Sequence, residues 1–244
     1  MAGYPQAVFY DSKTTIFDWD AQWREATAEI LAQYDAAPPA DAFLDRWRAG
    51  MAGYFLTAAF TEYRDLDPCI AQALGDAFDH YGIDGDVEAD VERYREKYDA
   101  VQPFPEASEA LRRQQDHTDV IVFSNVESRY LDMMVEKLDA EPDFVGTMED
   151  AGAIKPSPYA YRWVLDQLDL AADEVLYCAA PVFDVNGAMA FGMQTAYLNR
   201  EGQAWREPQR EPHLVIEDLL ELTERLEAGA IDAPASTRPG ERAR

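Results

Sequence analysis

Residues 7–18 read AVFYDSKTTIFD, an apolar run that stops at a carboxylate. Four apolar or aromatic residues, Ala7 to Tyr10, precede Asp11, and Thr15 follows four positions later. A short apolar run bounded by polar residues predicts a buried β-strand. A carboxylate at the end of such a strand lies where open α/β sheets place their chemistry, although Asp also ends strands simply as a turn former. This segment alone leaves both interpretations open.

Three further segments carry polar residues in comparable places. They read VIVFSN (120–125), AIKPSPYAY (153–161) and VLYCAAPVFDVNGA (175–188). Ser124 ends the first apolar run, Lys155 precedes a proline, and Asp184 follows the last apolar run. From residue 103 onward, helical and strand patterns alternate, which predicts a parallel, doubly wound sheet. We therefore expect Asp11, Ser124 and Asp184 at one edge of the sheet, with Lys155 on a nearby loop keeping Asp11 ionised.

The stretch from residue 19 to about residue 100 has a different pattern, with four helical segments and no evident strand. In the second of these, ADAFLDRWRAGMAGYFLTAAFTEYRD, large apolar side chains recur at helical spacing. The last 17 residues, 228–244, are rich in Ala, Pro and Gly and are predicted to be a disordered tail.

The chain carries a formal net charge of −26, with 47 acidic against 21 basic residues. These acidic residues are spread along the whole chain, which argues against nucleic acid or anionic membranes as partners. A dispersed acidic surface with only four lysines is typical of cytoplasmic proteins of halophiles, where salt screens the repulsion. An acidic protein from a mesophile is the alternative.

Length and cysteine content set further bounds. A chain of 244 residues is long enough for one sizeable core and a smaller second domain. Two cysteines, Cys69 and Cys178, cannot form a disulfide framework, and the three histidines are scattered without zinc-site spacing. No apolar stretch approaches the length of a membrane span, and no signal segment opens the sequence. We therefore expect a cytoplasmic protein without a membrane partner.

The order strand–Asp, strand–Ser, Lys–Pro, strand–Asp resembles the haloacid dehalogenase (HAD) superfamily. That resemblance implies an α/β fold, with a HAD-like parallel Rossmann-type core and an inserted helical cap domain. The core would comprise residues 1–18 and 101–227, and the cap residues 19–100. Within the superfamily pattern Asp11 is the nucleophile, Thr15 supports its geometry and Lys155 neutralises charge.

Residues outside the shared motifs are similar to the type II 2-haloacid dehalogenase branch. In RWRAGMAGY, the pattern makes Arg48 the halide-binding arginine and places Tyr54 beside it. The expected catalytic residues are Asp11, Thr15, Arg48, Ser124, Lys155 and Asp184. The expected substrate-binding residues are Ser12, Lys13, Arg48, Tyr63, Ser124, Asn125, Tyr161 and Phe183. The resemblance implies hydrolysis of (S)-2-haloacids to 2-hydroxy acids through an aspartyl ester, without metal or cofactor, in a possible homodimer.

Several positions depart from the related patterns. Phosphatases of the superfamily carry a second Asp where this chain has Lys13 and an acid where it has Ala180, so a magnesium-dependent phosphatase is disfavoured. Dehalogenases place an aromatic residue at position 13, Gly where Thr14 stands, and a water-orienting Asn at Pro181. Two alternatives stay open: a phosphatase or other small-molecule hydrolase of the superfamily, and a degenerate member that binds without turnover.

Overall fold

The computed structural model describes residues 4–35, 37–206 and 210–229. Of the segment expected to be disordered, 228–244, residues 230–244 lie outside this described part. Within the described part, no helix is both long enough and apolar enough to cross a membrane.

Six strands form one sheet in which every pairing is parallel, as the sequence predicts. The strands are β1 (Ala7–Tyr10), β2 (Asp119–Ser124), β3 (Phe144–Thr147), β4 (Val175–Ala179), β5 (Gln194–Leu198) and β6 (Leu214–Ile216). Their order across the sheet is β3-β2-β1-β4-β5-β6. The chain therefore reverses direction across the sheet beside β1, and in open α/β sheets this switch point forms the binding crevice.

The sheet is covered on both faces, which explains why β1 is apolar at every position. In β1, Val8 and Tyr10 pack into one hydrophobic cluster, whereas Ala7 and Phe9 pack into the other. All four side chains are fully buried. Successive strand residues point to opposite faces, so a strand between two layers of helices must be apolar at every position.

Ten α-helices are found in the described residues. They are α1 (Trp19–Leu31), α2 (Ala40–Ala58), α3 (Leu66–Tyr81), α4 (Val87–Glu96), α5 (Ala107–Gln115), α6 (Ser128–Val135), α7 (Met148–Ala151), α8 (Pro158–Leu168), α9 (Val182–Phe191) and α10 (Leu219–Glu227). Short 3₁₀ turns span Lys97–Ala100 and Ala172–Glu174. Buried side chains of α5, α6 and α10 pack on one face of the sheet and those of α8 and α9 on the other.

Helices α1 to α4 lie between β1 and β2 in the sequence and pack around aromatic side chains. Trp23 of α1 meets Trp47 of α2 edge to face, with ring centroids 4.6 Å apart, and Tyr94 of α4 contacts both rings. The second predicted helix is shorter than expected, because α2 ends at Ala58 and turns and loop residues lead to α3 at Leu66. Apolar periodicity alone did not locate this end.

Candidate active site

Asp11 lies directly after β1, in a tight loop closed by backbone hydrogen bonds. Its own N–H donates to the carbonyl of Cys178 in β4, 3.1 Å away, which holds it against the neighbouring strand. The N–H groups of Ile16 and Phe17 both donate to the Ser12 carbonyl. Thr14 takes a left-handed conformation with φ of 62°. This turn leaves Asp11 only 4% exposed at the carboxyl end of the sheet.

Lys155 is the centre of the site. Its ammonium group lies 2.9 Å from Asp11 Oδ1 and 2.8 Å from Asp184 Oδ2, and its side chain is fully buried. It also donates to the Phe123 carbonyl and to the Tyr177 hydroxyl, at 2.7 and 2.6 Å. The sequence prediction that Asp11, Lys155 and Asp184 converge therefore agrees with this geometry.

Burial and charge act in opposite directions on this cluster. Loss of solvent raises the pKa of Asp11, and the attraction of Lys155 opposes this rise without cancelling it. Burial alone would lower the pKa of Lys155, but the charges of Asp11 and Asp184 leave it raised. The lysine thus stays protonated, while Asp11 is a more basic carboxylate than an exposed one. The sequence predicts that Lys155 keeps Asp11 ionised; its charge does lower the Asp11 pKa, although desolvation is the larger effect.

Asp184 is held by three donors. Tyr161 Oη donates to its Oδ1 at 2.6 Å, and Tyr177 Oη donates to its Oδ2 at 2.8 Å beside the Lys155 ammonium. Burial raises the pKa of both tyrosine hydroxyls well above the usual value, so both act as donors. The sequence predicts Tyr161 as a substrate-binding residue, and the structure places its hydroxyl on Asp184.

Polar groups of the neighbouring loops fix the surroundings of Asp11. Thr15 Oγ1 accepts from the Ala180 N–H at 3.0 Å and donates to Asp11 Oδ2 at 3.4 Å, as expected for a residue that supports the carboxylate. The hydroxyls of Ser12 and Ser124 hydrogen-bond to each other, and both residues are fully buried. These side chains come together across the ends of β1 and β2.

Asn125 holds the backbone of Lys155. Its amide donates to the Lys155 carbonyl and its side-chain oxygen accepts from the Lys155 N–H, both at 2.9 Å. Both polar atoms of the Asn125 side chain therefore clamp the lysine backbone. The sequence predicts Asn125 as a substrate-binding residue, and in the structure its side chain supports Lys155.

Lys13 extends from the Asp11 loop toward the helices that follow. Its ammonium donates to the Asn125 carbonyl at 2.9 Å and lies 4.8 Å from the ring centroid of Trp19 in α1. Burial lowers the pKa of Lys13 to about 8, and the Asp11 charge limits the fall. The site therefore contains a second, more weakly basic lysine.

Arg48 and Tyr54 form their described polar contacts with residues of the helical segment, not with Asp11. Arg48 Nη2 forms an ion pair with Asp20 Oδ1 at 2.6 Å, and its guanidinium lies 5.5 Å from the Trp23 ring centroid. Tyr54 is 39% exposed and donates to Asp76, so its hydroxyl contacts α3 rather than Arg48.

Tyr63 and Phe183 were both expected beside the substrate. Tyr63 packs against the large hydrophobic cluster and donates to Asp65, while Phe183 at the start of α9 is 38% exposed. Among the described residues, no hydrogen bond joins the Tyr63 hydroxyl to the Asp11 cluster.

Three residues of this region were missed from the sequence. Tyr177 lies within β4, where a hydroxyl in a buried strand requires a partner, and that requirement was the available signal. Asp20 and Glu127 carried no distinctive local pattern. Glu127 is buried and its Oε1 accepts from the N–H groups of Leu66 and Asp67 at the start of α3. It thereby links the loop after β2 to the helical segment.

The carboxylate oxygens around Asp11 are engaged by the protein's own cation. Across residues 4–35, 37–206 and 210–229, no three His, Cys, Asp or Glu side chains gather in a possible metal site. The two central carboxylates already share the Lys155 ammonium, and Ala180 supplies no side-chain oxygen. Both central carboxylates therefore have a protein counter-charge at close range.

Comparison of the amino-acid sequence with known proteins identifies a family. Residues 53–198 match the family model described as haloacid dehalogenase-like hydrolase. That match covers more than half of the chain, and the chain therefore belongs to this family.

Several individual proteins are similar to this chain in sequence or in fold. The chain is 28% identical to haloacetate dehalogenase H-2 of Moraxella sp. (strain B), over 70% of this chain and 77% of that protein. It is 25% identical to (S)-2-haloacid dehalogenase 4A of Burkholderia cepacia, over 81% and 84% of the two chains. The L-2-haloacid dehalogenase structure from Xanthobacter autotrophicus superposes with a TM-score of 0.78, at 20% identity, over 91% of this chain and 98% of that one. The expected HAD-like fold is confirmed.

Proposed function

We propose that this protein is a metal-independent hydrolytic dehalogenase that converts (S)-2-haloacids to 2-hydroxy acids. The observation that carries the proposal is the buried Asp11 carboxylate, held 2.9 Å from the Lys155 ammonium at the carboxyl end of β1. This is a desolvated nucleophile beside a fixed positive charge, in a chain whose curated relatives are dehalogenases by name.

In the first step, one Asp11 oxygen attacks C2 of the haloacid opposite the halogen. A carbon–oxygen bond forms as the carbon–halogen bond breaks, and the halide leaves with the bonding electrons. The product is an ester between Asp11 and the 2-hydroxy acid. Attack in line inverts C2, so an (S)-haloacid yields the (R)-hydroxy acid. Because burial removes water from Asp11 and raises its pKa, the carboxylate is a stronger nucleophile than an exposed one.

In the second step, water attacks the ester carbonyl of Asp11. The acyl–oxygen bond breaks, one water proton passes to the departing alkoxide, and the other passes through Asp184 to solvent. Lys155 offsets the negative charge that develops on the acyl oxygen. Ser12, Thr15 and Ser124 hold the loops that surround Asp11, while Asn125, Tyr161 and Tyr177 hold Lys155 and Asp184.

Arg48 is proposed to receive the departing halide. A guanidinium is a weakly hydrated cation, and one placed beside aromatic rings suits a large, polarisable anion. The ion pair with Asp20 would have to open for this role. We propose that residues 19–100 form the cap domain that brings Arg48, Tyr63 and the adjoining apolar surface over Asp11, and that Phe183 closes the opposite side.

One experiment separates this proposal from its alternatives. Purified protein is incubated with (S)-2-chloropropionate and with bromoacetate, and halide release is measured. In parallel, phosphate release from a panel of phosphomonoesters is measured with magnesium. Halide release without phosphate release supports the dehalogenase. Phosphate release alone indicates a phosphatase, and thermal stabilisation by haloacid without either product indicates a binding protein without turnover.

The acidic composition supports a proposal about setting. We propose that the protein works in the cytoplasm of a halophile, because the formal net charge of −26 is costly in dilute solution and screened in molar salt. We further propose a homodimer, by analogy with the family alone. The negative surface suits neither nucleic acid nor anionic membranes as a partner.

A further inference from the structure

Lys13 is a cation close to the nucleophile whose bonding capacity is only partly used. An ammonium group has three N–H donors. The described contacts of the Lys13 ammonium are one hydrogen bond to the Asn125 carbonyl and one contact with the Trp19 ring face. Among the ion pairs of the described residues, none includes Lys13. Donor capacity therefore remains for a ligand.

Several charged groups lie near Lys13, but none of them forms an ion pair with it among the described residues. Burial lowers its pKa most; among the charges, Asp11 and Glu127 raise it, Lys155 lowers it and Asp67 raises it, in decreasing order of effect. Asp67 is already bound by Arg95 and Arg129, and Lys155 by Asp11 and Asp184. Glu127 keeps one buried oxygen, Oε2, that has no hydrogen-bond partner in the described part of the chain.

A 2-haloacid brings its own carboxylate close to the Asp11 carboxylate when its C2 atom is placed for attack. Two like charges so close repel strongly in a desolvated site, so binding requires a cation for the second anion. Lys155 cannot serve both, because Asp11, Asp184, Phe123 and Tyr177 already surround its ammonium. Arg48 is paired with Asp20 and lies on another element.

We propose that the Lys13 ammonium binds the carboxylate of the haloacid and thereby makes substrate capture depend on the charge of Lys13. This inference rests on the proposed dehalogenase function and adds the residue that selects an anionic substrate. Lys13 is two residues from Asp11 in the same loop, and its ammonium is held by the Asn125 carbonyl, so a carboxylate bound there lies on the side of the site next to the nucleophile. Because Lys13 has a pKa of about 8, it loses its charge at moderately alkaline pH.

The first test is a set of pH profiles with (S)-2-chloropropionate. Lys13→Met, which keeps the length but not the charge, should raise KM about tenfold to a hundredfold and change kcat much less, since a hydrogen bond to a charged group contributes on this scale. In the wild type, kcat/KM should fall above about pH 8, because it reports groups of the free enzyme. Lys13→Arg should remove that fall, since a guanidinium remains charged.

Glu127→Gln gives a readout that a purely structural role of Lys13 would not move. The glutamine oxygen can still accept from the N–H groups of Leu66 and Asp67, but the negative charge that raises the pKa of Lys13 is gone. The alkaline midpoint of kcat/KM should therefore shift to lower pH. Lys97→Met makes the same change in net charge as Lys13→Met at a lysine that pairs with Glu25 and Glu29, and should leave all profiles unchanged.

Binding of propionate, which lacks a halogen, tests Lys13 even if no halide is released. By titration calorimetry at pH 7, the wild type should bind propionate at least about tenfold more tightly than Lys13→Met. Absence of halide release with this difference intact would reject the dehalogenase and keep the anion site. Equal propionate affinity in the two proteins, or an unchanged KM in Lys13→Met, would overturn the role of Lys13.

Discussion

Arg48 and Asp20 form an ion pair, with 2.6 Å between Nη2 and Oδ1, that joins α2 to α1. The arginine proposed to receive the halide is thus already bound to an anion of the protein itself. Both side chains keep solvent contact, at 28% and 41% exposure, so the pair contributes little to stability. The Asp20 carboxylate can still compete with a halide, because both anions bind the Arg48 guanidinium.

Asp20→Asn is expected to strengthen inhibition by halide. Removing the competing carboxylate frees Arg48, and an exposed pair contributes about 0.2–1 kcal/mol, which corresponds to roughly a 1.5- to 5-fold lower inhibition constant for chloride or bromide. Steady-state inhibition at pH 7 measures it. Asp41→Asn, at an exposed carboxylate paired with Arg24, is the matched control and should leave the constant unchanged. Weaker halide inhibition in Asp20→Asn would contradict the competition.

Asp11→Asn should abolish halide release, by at least about a thousandfold, because a neutral amide is a far weaker nucleophile than a carboxylate. The fold should persist, since the side-chain oxygen of the introduced asparagine can still accept from Lys155. Circular dichroism and halide assay measure the two effects. In the wild type, rapid quenching with 2-bromopropionate should show an ester as added mass on the peptide containing Asp11. Full activity in the variant would exclude the covalent mechanism.

Lys155→Met is expected to lower the free energy of unfolding by about 3–5 kcal/mol, because it leaves Asp11 and Asp184 buried without their counter-charge. Urea denaturation measures this difference. Adding Asp184→Asn to the variant should restore part of the lost stability, since one uncompensated charge disappears. Lys97→Met, at a lysine paired with two exposed carboxylates, is the control and is expected within about 1 kcal/mol of wild type. If Lys155→Met also lowered the free energy of unfolding by less than about 1 kcal/mol, water would be compensating the two carboxylates.

Thr14→Gly should stabilise the protein by about 0.5–1 kcal/mol. Thr14 has φ of 62°, a left-handed conformation that is costly for a β-branched residue and free of that cost for glycine. The gain is reduced by the greater freedom of glycine in the unfolded chain. Thr14→Ala keeps the Cβ atom and serves as the control, with no comparable gain. The urea midpoints of the three proteins are measured. A midpoint of Thr14→Gly below that of the wild type would show that the left-handed conformation of Thr14 does not destabilise the protein.

The unfolding midpoint should rise as KCl increases from about 0.1 M to about 2 M. The range of charge repulsion falls from about 10 Å to about 3 Å between 0.1 and 1 M salt, and the chain carries a formal net charge of −26. Thermal denaturation across the series provides the measurement. Because sulfate also strengthens hydrophobic burial, KCl is the informative salt. A flat or falling midpoint would reject adaptation to high salt.

Much of the core was predictable because its signal is local. The apolar run before Asp11 predicts a buried strand, and alternating helices and strands dictate a parallel sheet with its polar strand ends at one edge. The meeting of Asp11, Lys155 and Asp184 followed from that topology. Helix ends were less predictable: α2 stops at Ala58 although apolar residues continue beyond it.

The amino-acid sequence by itself determined the apolar runs that Asp11 and Asp184 follow, the family resemblance and the excess negative charge. Only the tertiary structure decided what each side chain touches. In the folded chain, both polar atoms of Asn125 hydrogen-bond to the Lys155 backbone, Tyr177 donates to Asp184, and Arg48 pairs with Asp20. The physical reason is that backbone pattern depends on neighbours in sequence, whereas hydrogen-bond partners and desolvation depend on residues far apart in the chain that folding brings together.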